Sequence, residues 1–298
     1  MSERMTARLR ALLAQPGCII APGVADALGA RLVALEGFDV VYMTGFGTSL
    51  TRLGMPDVGL LTATEMIDNA ARIVDASGLP VIADADTGYG NPVNVRRTIR
   101  DYERAGVAGV HLEDQQWPKR CGHLSGKRVI PAAEMVAKLK SACDARNDRD
   151  FLVVARTDAI AVEGIEAAFD RAQQYRDAGA DVLFVEAPVG VEQVQQVAKR
   201  FAGVPLLYNM AASGKTPDLP ADELGRLGFK IAIYPNWMLL AAIPAMQKLL
   251  RELKRAGGIA AVRDQVATFK QFTDVAGLPE VQALEARYGV PEDSRASL

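Results

Sequence analysis

The sequence predicts an α/β fold, a (β/α)8 barrel of the triosephosphate isomerase type, and three observations carry that reading. Eight short β-rich runs alternate with helical patterns along the chain. The runs are almost continuously apolar, as strands of a parallel sheet buried on both faces are. Polar side chains also gather at the C-terminal ends of these runs: Thr44, Asp84, Asp86, Glu113, Asp114, Arg156, Asp158, Glu186 and Asn209. In a closed barrel those ends ring one mouth; in a doubly wound open sheet, the competing architecture, they would be strung along an edge. A single polar residue at a strand end is ordinarily a cap or a turn former. Charged or amide groups at the ends of most of the runs favour the barrel.

The elements follow in order. The charged start MSERMTARLRALLAQPG reads as a helix and lacks the apolar segment and small-residue cleavage site of a secretory signal. The first four runs are CIIAPGV (18–24), DVVYMTG (39–45), PVIADAD (80–86) and GVHLEDQ (109–115). The second four are FLVVART (151–157), VLFVEAP (182–188), PLLYNM (205–210) and KIAIYP (230–235). Between them, stretches such as VNVRRTIRDYERAG and GIEAAFDRAQQYRDAGA repeat apolar residues at three- and four-residue steps and close on Ala-Gly, a helix C-cap signal. The catalytic barrel is expected over residues 1–254. A helical extension, 255–298, is not needed to close it and is expected to pack at a subunit interface.

With 34 Lys and Arg against 36 Asp and Glu, the net charge of −2 gives no general attraction to nucleic acid. No uninterrupted apolar stretch is long enough to cross a bilayer. The three cysteines, Cys18, Cys121 and Cys143, are widely spaced, without zinc spacing or the look of a disulfide framework. A reduced, cytoplasmic setting is the simplest expectation.

Chemistry is expected first at VIADADTGYGNP (81–92), where two carboxylates end a strand. Residues two apart on a strand face one way, so Asp84 and Asp86 are predicted on one side, about 7 Å apart at the backbone. Their repulsion near a low-dielectric mouth is costly unless a cation lies between them. Carboxylates without nearby His or Cys suit a hard ion such as Mg2+. Glu113 ends the next run, and Asp57 follows the second. The plainer alternative has these acids capping helices or pairing with Arg96, Arg97 or Arg120.

The second conspicuous stretch is EDQQWPKRCGHLSGKRVI (113–130). Lys119, Arg120, Cys121 and His123 fall within five residues, bracketed by Pro118, Gly122 and Gly126. Cationic neighbours are expected to lower the thiol's pKa from about 8.5. Such a thiol suits proton donation to a carbanion, and the glycine-bracketed loop suits a closing lid. A nucleophilic cysteine or a merely basic surface loop are the alternatives. His111, inside the fourth run, reads as a buried structural histidine.

Taken in order, YMTGFGTS, DADTGYGN, HLEDQ, KRCGH, ARTDA and EAP resemble the isocitrate lyase and phosphoenolpyruvate mutase superfamily over roughly residues 8–255. KRCGH points to its carbon–carbon lyase branch. The resemblance implies Mg2+, with Mn2+ as the other candidate, held by Asp84, with Asp57, Asp86 and Glu113 acting largely through bound waters. It implies that Thr44, Gly45 and Phe46 contact the α-keto-acid part of the substrate, with Glu186 and Asn209 in the same substrate set. Arg156 would bind a carboxylate or the developing oxyanion. Cys121 would protonate the carbanion-like fragment, while Lys119, Gly122 and His123 shape the closed lid. Tyr42 or a water would receive the substrate's hydroxyl proton. The eighth helix would be exchanged between paired subunits in a homotetramer, with no nucleic-acid or membrane partner.

The implied reaction is retro-aldol cleavage of a 2-hydroxy or 2-oxo dicarboxylate to an α-keto acid and a carboxylate. Two departures bear on the substrate. YNMAASGKTPDLP (208–220) carries small residues where methylisocitrate lyases tend to have a Thr-Glu pair, and YPNWMLLAAIPAM (234–246) has no arginine. Phe46 also narrows the pocket. The pattern looks closer to the group of dimethylmalate lyase, petal death protein and carboxyphosphonoenolpyruvate mutase, so an alkylated malate or oxaloacetate is expected. Methylisocitrate cleavage to pyruvate and succinate, and phosphorus–carbon bond formation, are the alternatives.

Overall fold

The computed structural model describes residues 4–289. Its strands are β1 (Ile19–Val24), β2 (Val41–Met43), β3 (Val81–Asp84), β4 (Gly109–Glu113), β5 (Leu152–Thr157), β6 (Val182–Val185), β7 (Leu206–Asn209) and β8 (Phe229–Tyr234). Each falls on one of the eight predicted runs. Every strand pairs in parallel with its sequence neighbours, and β8 closes on β1, with Ile19 opposite Ile231 and Pro22 opposite Tyr234. The closed order decides for the barrel over the open sheet.

Strand parity explains the near-continuous apolar runs. Tyr42, Ile82, Val154, Phe184, Leu207 and Ile231 pack together inside the barrel. Their neighbours Val41, Val81, Val110, Val153, Leu183 and Leu206 pack outward against helix residues such as Met66, Ile73 and Ile99. Leu9, from the helix Met5–Ala14, is fully buried with the interior set and stops the N-terminal end. Two residues further along, on five of these six strands, the same parity delivers polar groups; on β8 Ile231 is followed by Ile233. Thr44 follows Tyr42, Asp84 follows Ile82, Arg156 follows Val154, Glu186 follows Phe184 and Asn209 follows Leu207. All five are buried. They form the uppermost layer of a barrel whose lower layers are apolar.

The flanking helices are locally encoded. Ala63–Ser77 opens on a Thr62/Glu65 capping box, buries Met66, Ala70 and Ile73, and stops at Gly78, where φ is 60°. Pro92–Arg104 opens on Asn91 with proline in its first turn and buries Val95, Ile99 and Tyr102. Met66, Ile73, Val95 and Ile99 each contribute about 1.5–3 kcal/mol by leaving water.

The chain divides into two compact units, Met1–Leu239 and Leu240–Leu298. All eight strands belong to the first. The helix Trp237–Ala256 crosses the boundary, and none of its residues is buried. Its Leu240, Met246, Leu250 and Leu253 are exposed. A 3-10 turn, Ala260–Gln265, and the helices Phe269–Val275 and Leu278–Arg287 follow. No helix among the described residues is long and apolar enough to cross a membrane.

Candidate active site

Asp84, the last residue of β3, sits at the centre of the upper layer. It accepts the Gly45 amide on Oδ2 at 3.2 Å and the Asp86 amide on Oδ1 at 2.9 Å. A Cβ on Gly45 would fall on the Asp84 carboxylate, so the β2 turn can approach it only through glycine. Register places His111 beside Asp84, with Nε2 3.4 Å from Oδ1 and 2.9 Å from the Tyr42 hydroxyl. Burial pushes the His111 pKa down to about 4, so the imidazole is neutral at neutral pH. Burial raises the Asp84 pKa, but His111, Lys119 and Arg156 outweigh it and hold the carboxyl below its ordinary value.

Asp86 reaches the site by a different route from the one expected. β3 ends at Asp84, and Asp86 adopts the left-handed conformation, φ 49°. Strand parity does not place it; a turn braced on the Asp84 carboxylate does. The glycines that signal this turn lie after Asp86, so the sequence reading extended the strand two residues too far.

Lys119 is the largest correction. The sequence made it a cationic neighbour of the thiol, but its ammonium is buried among the acids, 2.7 Å from Asp57 and 2.6 Å from Asp86. Burial disfavours its charge, yet Asp86, Asp57, Asp84 and Glu113 together hold its pKa well above the ordinary value. Burial pushes Asp86 up to about 6 despite Lys119, with Asp84 and Asp57 adding to the rise. The acids therefore converge, as expected, and Lys119 rather than Arg96, Arg97 or Arg120 meets them. Asp86 Oδ1 touches the ammonium without hydrogen-bond geometry, and Glu113 Oε1 has no hydrogen-bond partner at all.

The opposite charge pattern is organised from β5. Register sets Arg156 beside Glu113, with Nε 3.4 Å from Oε2. The guanidinium forks onto Asp158 at 2.9 and 3.1 Å and lies over the Phe184 ring at 5.0 Å. Lys127, which the sequence reading passed over, reaches the same Asp158 carboxylate at 2.9 Å. Asp114 faces away from the mouth. It takes the Thr157 hydroxyl at 2.7 Å, the Asp158 amide at 2.9 Å and the Tyr175 hydroxyl at 2.8 Å, fixing the end of β5. Asn209 donates to Glu186 at 3.1 Å.

The KRCGH loop is wedged into the mouth. Its base is closed by a Gln115–Val129 antiparallel bridge, and the Cys121 amide donates to the Asp57 carbonyl at 3.1 Å. A Cβ on Gly122 would fall on Arg156 and Glu186. The Cys121 thiol is pushed up to about 11 by burial, against a smaller opposing effect of the His123 amide. This reverses the predicted direction: Lys119 points to the acids, and desolvation governs the sulfur.

These groups enclose a chamber of about 50 Å³. Of the predicted site residues, all but Gly45 and Asp86 line it. Ala211, Pro235 and Asn236 also line it and were missed by the sequence reading. Asn236 accepts the Thr44 hydroxyl at 3.1 Å; the signal that could have found it is an amide at the end of β8, repeating the pattern of Asn209. The seated loop leaves little free space beside the acids, and its movement would widen the pocket for a dicarboxylate. A larger cleft of about 820 Å³, lined by Leu60, Tyr89 and Trp117 among others, lies outside the mouth and combines only Glu134 and Lys138 as charged groups.

Among the described residues, no group of three or more His, Cys, Asp or Glu is already packed as a metal cluster. The donor set still fits a hard cation: only oxygen ligands, two buried carboxylate oxygens without hydrogen bonds, and a positive charge already drawn among them. One direct carboxylate with the others bridged by water needs no preformed cluster.

The comparisons with known proteins agree with this architecture. A family model described as phosphoenolpyruvate phosphomutase matches residues 9–254. The chain is 47% identical to 2,3-dimethylmalate lyase of Eubacterium barkeri, over 95% of this chain and 97% of that one. It superposes with a TM-score of 0.92 on oxaloacetate acetylhydrolase solved with the inhibitor 3,3-difluorooxalacetate, at 38% identity and covering 98% and 100% of the two chains. A phosphonopyruvate hydrolase solved with oxalate and Mg2+ superposes at 0.87, with 30% identity and coverage of 96% and 99%. The chain belongs to the isocitrate lyase and phosphoenolpyruvate mutase superfamily, in its branch of carbon–carbon lyases.

Proposed function

We propose that the protein cleaves a carbon–carbon bond in a 2-hydroxy dicarboxylate, an alkylated malate or a close relative, by retro-aldol chemistry, a 2-oxo dicarboxylate entering the same step only after water adds to its ketone. The observation that carries this reading is one small chamber lined by Asp57, Asp84, Glu113, Arg156 and the Cys121 thiol. A divalent cation, Mg2+ or Mn2+, held by Asp84 with Asp57, Asp86 and Glu113 in its outer sphere, would chelate the substrate's oxygens and neutralise their charge. Its arrival requires Lys119 to leave Asp86 or share it.

The residues of the chain do the rest. The Thr44 hydroxyl and the Gly45 and Phe46 turn bind the keto-acid half. The substrate hydroxyl gives its proton to a water or to Tyr42, which takes it while passing its own to the neutral His111 Nε2 bonded to it. Arg156, fixed by Asp158, spreads the charge of the departing enolate. Glu186 and Asn209 position the distal carboxylate through Arg156 and His123. Cys121, protonated at neutral pH because burial raises its pKa to about 11, gives its proton to the carbanion and regains one from solvent when the loop opens. Phe46, Ala211 and Pro235 supply the apolar part of the lining, against which small alkyl groups of the substrate would pack.

A product screen tests the reading: keto-acid release from malate, its 2- and 3-methyl and 2,3-dimethyl derivatives and methylisocitrate, and oxalate release from oxaloacetate. Release of pyruvate or glyoxylate is expected fastest from an alkylated malate. No release from any of them, with a new phosphorus–carbon signal by phosphorus NMR on a carboxyphosphonoenolpyruvate-type substrate, would replace it.

For assembly, we place the catalytic domain at residues 1–254 and the extension 255–298 at a subunit interface; residues 1–3 and 290–298 of these ranges lie outside the described residues. The support is the 20-residue helix Trp237–Ala256, which carries exposed Leu240, Leu250 and Leu253 and has no buried residue. Exchange of this helix between paired subunits in a tetramer would cover it. Light scattering should give four times the 31.9 kDa chain mass; a monomer at micromolar concentration contradicts the exchange. The proposed setting is cytoplasmic.

A further inference from the structure

Within the AASGKTP segment (211–217), Ser213, Gly214 and Lys215 are left without a task by the chemistry above. Its geometry supplies one. Both ends of this loop, which follows β7, are anchored: Trp237 Nε1 donates to the Met210 carbonyl at 2.7 Å, and the Tyr208 hydroxyl donates to the Pro217 carbonyl at 2.7 Å. Between them the tip turns at Gly214, φ 74°, and presents Ser213 and Lys215 to the KRCGH loop. Ser213 Oγ lies 2.6 Å from His123 Nδ1, and Lys215 Nζ donates to the His123 carbonyl at 3.0 Å. The next carbonyl back, that of Gly122, takes Lys127 Nζ from the interior side. Two ammonium groups from different parts of the chain thus grip adjacent carbonyls directly after Cys121. His123 also places Nε2 3.0 Å from Glu186, though off hydrogen-bond alignment, and its amide meets the Cys121 sulfur.

We propose that the loop after β7 is the catch of the lid: Ser213 and Lys215 hold His123, and through it keep Cys121 seated over the chamber. They are positioning residues, and Lys127 is the inner pivot about which the loop swings. The division follows from burial. Lys127 is enclosed and shared with Asp158, whereas the Lys215 and Ser213 contacts are exposed. Exposed hydrogen bonds contribute least net stability and release first. With the loop seated, the pocket keeps only about 50 Å³ of free space, so release of the catch would widen it for substrate entry. The kinetic part of the proposal rests on the lyase reading; the structural part does not.

The test is alkylation of Cys121 by iodoacetamide, mapped by mass spectrometry, with Cys18 and Cys143 as internal references in the same chain. The variants are Ser213→Ala, Lys215→Ala, the double variant, and Lys215→Arg as the conservative control. The double variant should alkylate at Cys121 roughly tenfold faster than the parent, the factor that one to two net hydrogen bonds contribute to an opening equilibrium. Lys215→Arg should stay near the parent, and Cys18 and Cys143 should not change. Equal Cys121 alkylation in parent and double variant overturns the catch, as does an equal rise at all three cysteines, which would mean general loosening. Because alkylation needs no substrate, failure of the lyase reading would leave this result intact. With the substrate from the screen, kcat should fall in the double variant and recover with Lys215→Arg.

Discussion

Cys121→Ser should lower kcat by about two to four orders of magnitude, the range that a positioned general acid contributes, while divalent-ion and keto-acid binding stay within a few-fold of the parent. The argument starts from the sulfur's surroundings. Burial raises the thiol pKa to about 11, so at neutral pH it carries a proton. A serine hydroxyl is similar in shape but a far weaker acid, and it cannot match the basicity of an enolate carbon. The loop is held by backbone contacts, Cys121 N–H to Asp57 O and Lys127 to the Gly122 carbonyl, which serine leaves in place. Stopped-flow turnover and equilibrium product binding separate the two effects. Undiminished turnover would remove the thiol from the mechanism.

Arg156→Lys should lower kcat by about 100- to 1,000-fold, as loss of an oxyanion-stabilising donor does, although the charge is kept. Three features of Arg156 depend on its planar fork: two parallel bonds to Asp158, the approach to Glu113, and stacking over Phe184. A lysine ammonium satisfies one of these at a time. The Asp158 carboxylate keeps Lys127, so the fold should survive with a loss of about 1–3 kcal/mol measured by urea unfolding. Retained turnover in Arg156→Lys would show that positive charge alone suffices there and that the fork is structural.

The barrel was legible because its strands are buried on both faces and announce themselves as apolar runs. The upper layer was legible because polar residues end those runs at the parity of the interior. What could not be read lies off the strands. Asp86 enters through a left-handed turn that begins before the glycines that signal it. Lys119 stands two residues from Cys121 in the chain, yet it points to Asp57 and Asp86, so proximity in sequence gave the wrong partner and the wrong direction for the thiol's pKa. Lys127 meets Asp158 across 31 positions, and Ser213 meets His123 across 90. No periodicity encodes such pairs; they exist only once the barrel has closed. His111, read as structural, lies beneath Asp84 as a neutral imidazole bonded to Tyr42.

The proposed mechanism depends on a divalent ion held by the acids around Asp84. Titration with Mn2+, followed by electron paramagnetic resonance and displaced by Mg2+, tests it most directly on the parent and on Asp84→Ala. The account predicts one ion per chain in the parent, competition by Mg2+, and an affinity at least tenfold weaker in Asp84→Ala. A parent that binds no ion at millimolar Mn2+, or an Asp84→Ala variant that binds as tightly as the parent, would contradict it.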